Sequence, residues 1–177
     1  MRCQCRENFL EPSHFLVENI ALLPRGRALD LAMGFGRNAI YLAKLGYAID
    51  GVDISPEAVN GALASAQEAG LIIKAQVADL ESGGYRIEKG AYDLIICFNY
   101  LYRPLLPQIK DGLKTGGMLV YETFTVDQVQ FSQPRNPDHL LKHNELLDMF
   151  RDFRCLRYHE GIVGTHKALA GIVAQKV

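Results

Sequence analysis

The chain has 177 residues, 49% of them hydrophobic, enough for a sizeable core. Its formal net charge of -1 leaves no basic excess to hold a phosphate backbone, which argues against nucleic acid as a partner. No apolar run approaches the ~20 residues needed to span a bilayer, and the polar start, residues 1–8, lacks the apolar stretch of a signal peptide. The expectation is one domain over residues 1–177, working in the cytoplasm and away from membranes.

In chain order, an amphipathic helix is predicted over about 13–23, ended by Pro24 and Gly26. Arg27 to Ala32 is a short apolar strand, broken by the loop Met33-Gly34-Phe35-Gly36. A helix follows from Arg37 to Leu45, with Gly46 as its C-terminal cap. Tyr47 to Val52 is the second strand, with Asp53 at its end. Ser55-Pro56-Glu57 reads as a helix start: a capping hydroxyl, a proline in the first turn and an acid at the positive dipole end. Val59, Ala62, Leu63 and Ala66 give that helix its apolar face.

Ile72 to Val77 is a third strand leading to Asp79, and Tyr92 to Phe98 a fourth, very apolar one. Leu105, Leu106, Ile109 and Leu113 share a helical face, and Met118 to Thr123 is the fifth strand. A polar connection, Val126 to His139, leads to a helix near Asn144 to Phe150. The last two strands, Phe153 to His159 and Lys167 to Lys176, are separated by a short turn that predicts an antiparallel hairpin. Alternating helices and near-continuous apolar strands predict an α/β fold: a doubly wound, Rossmann-like sheet, mostly parallel and covered on both faces. Its ligand crevice belongs at the carboxyl ends of the strands, where the first two crossovers diverge. Gly34, Gly36, Asp53, Asp79 and Asn99 all fall at strand ends on that side.

The informative stretch is Asp30-Leu31-Ala32-Met33-Gly34-Phe35-Gly36-Arg37-Asn38. Two glycines let the backbone approach a ligand, but that spacing alone equally suits a nicotinamide or flavin dinucleotide. Asp30 separates the classes. A carboxylate four residues before the first glycine would repel a pyrophosphate, whereas it attracts the ammonium and sulfonium of S-adenosylmethionine. Asp53, ending the second strand, is placed to accept from both ribose hydroxyls of either ligand class. Asp79 is placed to accept from an adenine amino group, with the Leu80 backbone N–H donating to the ring. Ala32, Arg37, Asn38, Ile54, Phe98 and Asn99 complete the cofactor-side set.

These motifs, with Gly51-Val52-Asp53-Ile54-Ser55-Pro56, resemble class I S-adenosylmethionine-dependent methyltransferases. Gly36-Arg37-Asn38-Ala39-x-Tyr41-Leu42-Ala43 is similar to the tellurite-resistance-type branch, as are Tyr100-Leu101-Tyr102-Arg103-Pro104-Leu105 and Tyr121-Glu122-Thr123-Phe124-Thr125. The resemblance implies a seven-stranded sheet with an antiparallel last strand, and S-adenosylhomocysteine as product. The chain departs from the family in having Ala32-Met33 where Cys or Gly-Cys often precedes the first glycine, which predicts altered contacts at the methionine end of the cofactor.

On the substrate side, Tyr100, Arg103 and Glu122 are the catalytic candidates. Arg103 would hold an anionic acceptor through its forked donors, Glu122 would orient a polar group or act as base, Tyr102 would line the pocket with Asn99 and Tyr100, and Arg135 would contribute from a lid formed by the proline-containing connection. The expected acceptor is a small molecule: a chalcogen oxyanion such as tellurite or selenite, or a thiol. No metal site is expected, because Cys3 and Cys5 are two ligands without a third and the five histidines lack a ligand spacing. Cys97 and Cys155 read as core thiols. Two alternatives stand beside the methyltransferase: a nicotinamide-dependent oxidoreductase, against which Asp30 argues, and a non-catalytic S-adenosylmethionine-binding module or subunit of a heteromer.

Overall fold

The computed structural model describes residues 11–177, so Cys3 and Cys5 lie outside the described residues. Seven strands form one sheet: β1 (Arg27–Leu31), β2 (Ala48–Asp53), β3 (Lys74–Val77), β4 (Tyr92–Phe98), β5 (Leu113–Phe124), β6 (Arg154–Val163) and β7 (Lys167–Gln175). Their order is β3-β2-β1-β4-β5-β7-β6. The first five run parallel, and β7 pairs antiparallel with both β5 and β6, the expected terminal hairpin. The order reverses between β1 and β4, so a crevice opens beyond their carboxyl ends.

Helices cover both faces because successive strand residues alternate in direction. On one face, α1 (His14–Asn19), α2 (Arg37–Lys44) and α3 (Pro56–Glu68) bury Leu16, Leu42 and Ala62 against Ala28, Leu94, Ile96 and Val120. On the other, α4 (Leu106–Gly112) and α5 (Glu145–Met149) bury Ile109 and Leu146 against Leu29, Leu31, Ile95, Leu119 and Ile172. α3 starts as its sequence dictates, with Pro56 at its first position and the Ser55 hydroxyl accepting from the Ala58 N–H at 3.2 Å.

Some expectations are corrected. The third strand is shorter than predicted, and β3 is a largely exposed edge. Leu63 is partly exposed, because Val59, Ala62 and Ala66 already fill the α3 face that meets the sheet. Cys97 is buried, with its thiol pushed up to about 12 by desolvation, but Cys155 is exposed because β6 forms the opposite edge. The Val126–His139 connection contains two 3-10 turns, Val126–Gln130 and Pro137–His139. It is pinned to the sheet by the buried Gln128, whose Oε1 accepts from the Ala168 N–H at 2.8 Å.

Candidate cofactor and acceptor site

The crevice is built where β1 and β4 end. Two residues there, Ala32 and Asn99, hold φ of 53° and 57°, a left-handed conformation costly for side-chain-bearing residues. Both turn the backbone sharply out of the sheet. Gly34 (φ 56°) follows, and a Cβ on it would meet nothing within 4 Å, so its open side belongs to the crevice. Gly36 differs. At φ 76° it begins α2, and a Cβ there would come within 2.8 Å of the Ala62 Cβ. It serves the turn and the close approach of α2 to α3 rather than contact with a ligand.

Two adjoining cavities occupy this end of the sheet. One, of about 280 Å³, is bordered by Asp30, Gly34, Arg37, Asn38, Phe98 and Asn99. The other, of about 430 Å³, is bordered by Asp53, Ile54, Ala78, Asp79, Leu80 and Glu81. Ala32 and Tyr100 border both, which makes them one bent crevice. The loops above it are joined: the hydroxyls of Tyr100 and Tyr102 donate to the Glu81 carboxylate and carbonyl at 3.3 and 3.2 Å.

Asp30 is only 3% exposed, and its Oδ2 is buried without a hydrogen-bond partner. Desolvation pushes its carboxyl up to about 8, against the opposing pull of the Ala39 backbone and of Arg37. Such a group in a ligand cavity calls for a cation. Asp53 Oδ2 accepts from the Gly34 N–H at 2.8 Å and Oδ1 from the Ser55 N–H at 2.9 Å, so it also fixes the glycine loop. Each oxygen keeps a lone pair for a ligand hydroxyl. Asp79 Oδ1 accepts from the Glu81 N–H at 2.8 Å and shapes the loop that carries Leu80. Asn38 is buried, its Oδ1 accepting from the Ser13 N–H at 2.8 Å. Met33 borders the cavity beside Asp30, with its sulfur over Gly51, where any Cβ would collide with it.

The substrate-side candidates separate. Tyr100 borders the crevice. Arg103 does not present its fork to an acceptor. It donates to Glu145 from Nε at 2.6 Å and from an Nη at 2.9 Å, and to the carbonyls of Asp138 and Leu140 at 2.8 and 2.9 Å. The expected anion-binding role is thus replaced by a clamp on the segment before α5, and the guanidinium holds the Glu145 carboxyl below its ordinary range. Arg135 is exposed in the connection. Glu122 faces a neighbouring cavity, where both carboxylate oxygens are engaged: Oε1 by the Ser13 hydroxyl at 3.2 Å and Oε2 by His159 Nε2 at 3.0 Å. His159 was not singled out from the sequence, because only strand register brings it to Glu122.

A dissected sheet of order 3-2-1-4-5-7-6 with this crevice defines a methyltransferase-type Rossmann-like domain. The chain belongs to the methyltransferase domain family, which matches residues 28–117. It is 26% identical over 160 residues to a probable S-adenosyl-L-methionine-dependent methyltransferase, TehB, of Haemophilus influenzae, covering 86% of this chain and 54% of that protein. The chain therefore spans about half the length of that curated relative. The crystal structure of TehB from Haemophilus influenzae superposes with a TM-score of 0.78 at 21% identity, covering 92% of this chain and 61% of that one. A methyltransferase of Mesorhizobium loti, described as S-adenosylmethionine dependent, superposes with a TM-score of 0.73 at 18% identity, covering 90% and 96%. At these identities the structural likeness speaks for the fold.

The residues present fit the cofactor. A buried carboxylate oxygen without a partner suits its ammonium, the second carboxylate has free lone pairs for ribose, and Ile54 and Leu80 offer apolar surface to a base.

Proposed function

We propose that the protein transfers a methyl group from S-adenosylmethionine to a small-molecule acceptor, a chalcogen oxyanion such as tellurite or selenite, or a thiol, releasing S-adenosylhomocysteine. The observation that carries this reading is Asp30: a buried carboxylate with one unpartnered oxygen, in the wall of a crevice at the strand ends. It accepts the α-ammonium. Asp53 accepts from the ribose hydroxyls, Asp79 and the Leu80 N–H recognise adenine, and Ile54 packs on the base. Gly34 and Ala32 supply close backbone approach, while Arg37, Asn38, Phe98 and Asn99 surround the methionine end.

When bound, the cofactor supplies an electrophilic methyl on sulfonium. The protein's part is to align acceptor, methyl and sulfur and to keep water out. Tyr100, shared by both halves of the crevice, is placed to help close it. The near-zero net charge supports a small acceptor over nucleic acid. The reading includes a cytoplasmic setting and one methyltransferase domain over residues 1–177; among the described residues no helix is long and apolar enough to cross a membrane.

The test is methyl transfer by the purified chain from methyl-labelled S-adenosylmethionine to tellurite, selenite and small thiols. The reading expects label in the acceptor and equimolar S-adenosylhomocysteine. Label that stays in the cofactor with every acceptor would contradict it.

A further inference from the structure

Glu122 on β5, Gly171 on β7 and His159 on β6 occupy one row across three neighbouring strands. The outer two are separated by two strand spacings, roughly 9–10 Å. A side chain on the middle residue would stand between them. Gly171 has none, and a Cβ there would collide with His159 Nε2. The imidazole therefore leans across the glycine to Glu122, at 3.0 Å. Phe15 braces it from the side, edge to ring, with centroids 4.8 Å apart. The Glu122 side chain is 13% exposed and the His159 side chain 30%, so the pair sits in a wall that still meets solvent.

That wall belongs to a cavity of about 360 Å³. Arg37 and Asn99 border both this cavity and the methionine end of the crevice beside Asp30. An ionised carboxylate only accepts, so in neutral His159 the proton sits on Nε2 and the lone pair on Nδ1. Nδ1 has no partner among the described residues.

We propose that His159 is the general base of the reaction, that Glu122 is its positioning residue, and that the acceptor is a small molecule whose nucleophile arrives as S–H or O–H. This rests on the cofactor reading of the adjoining crevice. As the acceptor's sulfur or oxygen bonds to the methyl carbon, the carbon–sulfonium bond breaks and its electron pair stays on sulfur. The acceptor's proton passes to His159 Nδ1, and the resulting imidazolium is held by the Glu122 carboxylate until it releases the proton to solvent. A lone-pair nucleophile such as tellurite needs no such base, so the dyad favours the protonated class. The other charged or titratable groups that border this cavity are His14 and Glu18 from α1, Arg37 from α2 and Lys167 from β7.

The experiment compares wild type with His159→Gln, Glu122→Gln and Glu122→Asp. Calorimetry with S-adenosylmethionine comes first. Methyl transfer to benzyl mercaptan, 2-mercaptoethanol, catechol, tellurite and selenite then follows across pH 6–10. Cofactor affinity is expected to stay within about threefold in all variants. His159→Gln should lower kcat on the protonated acceptors by ~10²–10⁴-fold near neutral pH, with recovery at high pH where the acceptor ionises unaided. Glu122→Asp should retain more activity than Glu122→Gln. Equal rates in wild type and His159→Gln would overturn the proposal, as would turnover of tellurite or selenite alone, or of no probe at all. Failure of wild type to bind S-adenosylmethionine would sink the cofactor reading itself, and the base with it.

Discussion

Asp30→Asn exchanges a carboxyl for a neutral group of nearly the same shape. In the folded chain burial pushes the Asp30 carboxyl up to about 8, whereas in the unfolded chain it titrates near 3.9. The folded state thus holds this proton more tightly. The contribution is neutral below the unfolded value, and stability falls as pH rises from about 4 to about 8. With 1.36 kcal/mol per pH unit, the ligand-free chain gives up roughly 1.5 kcal/mol at pH 5 and roughly 4 kcal/mol at pH 7. Asparagine does not titrate. Its own cost, an amide short of partners, is about 1–3 kcal/mol and independent of pH. The stability of Asp30→Asn relative to wild type should therefore rise by about 2–3 kcal/mol between pH 5 and pH 7. Urea unfolding of both proteins at several pH values, without ligand, measures this difference. Parallel stability profiles would refute the reasoning, because they would mean that the Asp30 carboxylate finds a partner in the folded chain.

Arg103→Ala should act on stability rather than on cofactor affinity, losing about 1–3 kcal/mol as the segment before α5 is unclamped; calorimetry showing weakened S-adenosylmethionine binding with unchanged unfolding would return the residue to the site. Gly36→Ala should destabilise by about 1–3 kcal/mol, since it meets both a positive φ and a Cβ 2.8 Å from that of Ala62. An unaltered melting temperature would count against the close approach of α2 and α3. Asp53→Asn should weaken S-adenosylmethionine by roughly 1.5–3 kcal/mol, the scale of charge-assisted hydrogen bonds, and an unchanged dissociation constant would remove the ribose assignment.

The cofactor side was legible because its signals are local. Asp30 stands out as a charge in an apolar strand, and Gly34, Asp53 and Asp79 fall at strand ends that periodicity locates. The antiparallel hairpin was legible from the short turn between two apolar runs. The acceptor side depends on contacts distant in sequence. Arg103 has a sequence fit for binding an anion, but its partner Glu145 stands 42 residues away and fills the fork. Glu122 and His159 meet only because β7 inserts between β5 and β6 with a glycine at the crossing point. Cys97 follows the apolar run Leu94-Ile95-Ile96, whereas Cys155 stands between Arg154 and Leu156 on the strand that strand order leaves at an edge.

The central claim is that a cation-seeking crevice receives S-adenosylmethionine. Calorimetric titration of the purified chain with S-adenosylmethionine, S-adenosylhomocysteine and NAD in parallel tests it most directly, with Asp30→Asn as the control. The account predicts that both sulfur nucleosides bind, that NAD does not, and that Asp30→Asn loses the binding. Binding of NAD alone, or full affinity for S-adenosylmethionine in Asp30→Asn, would contradict it.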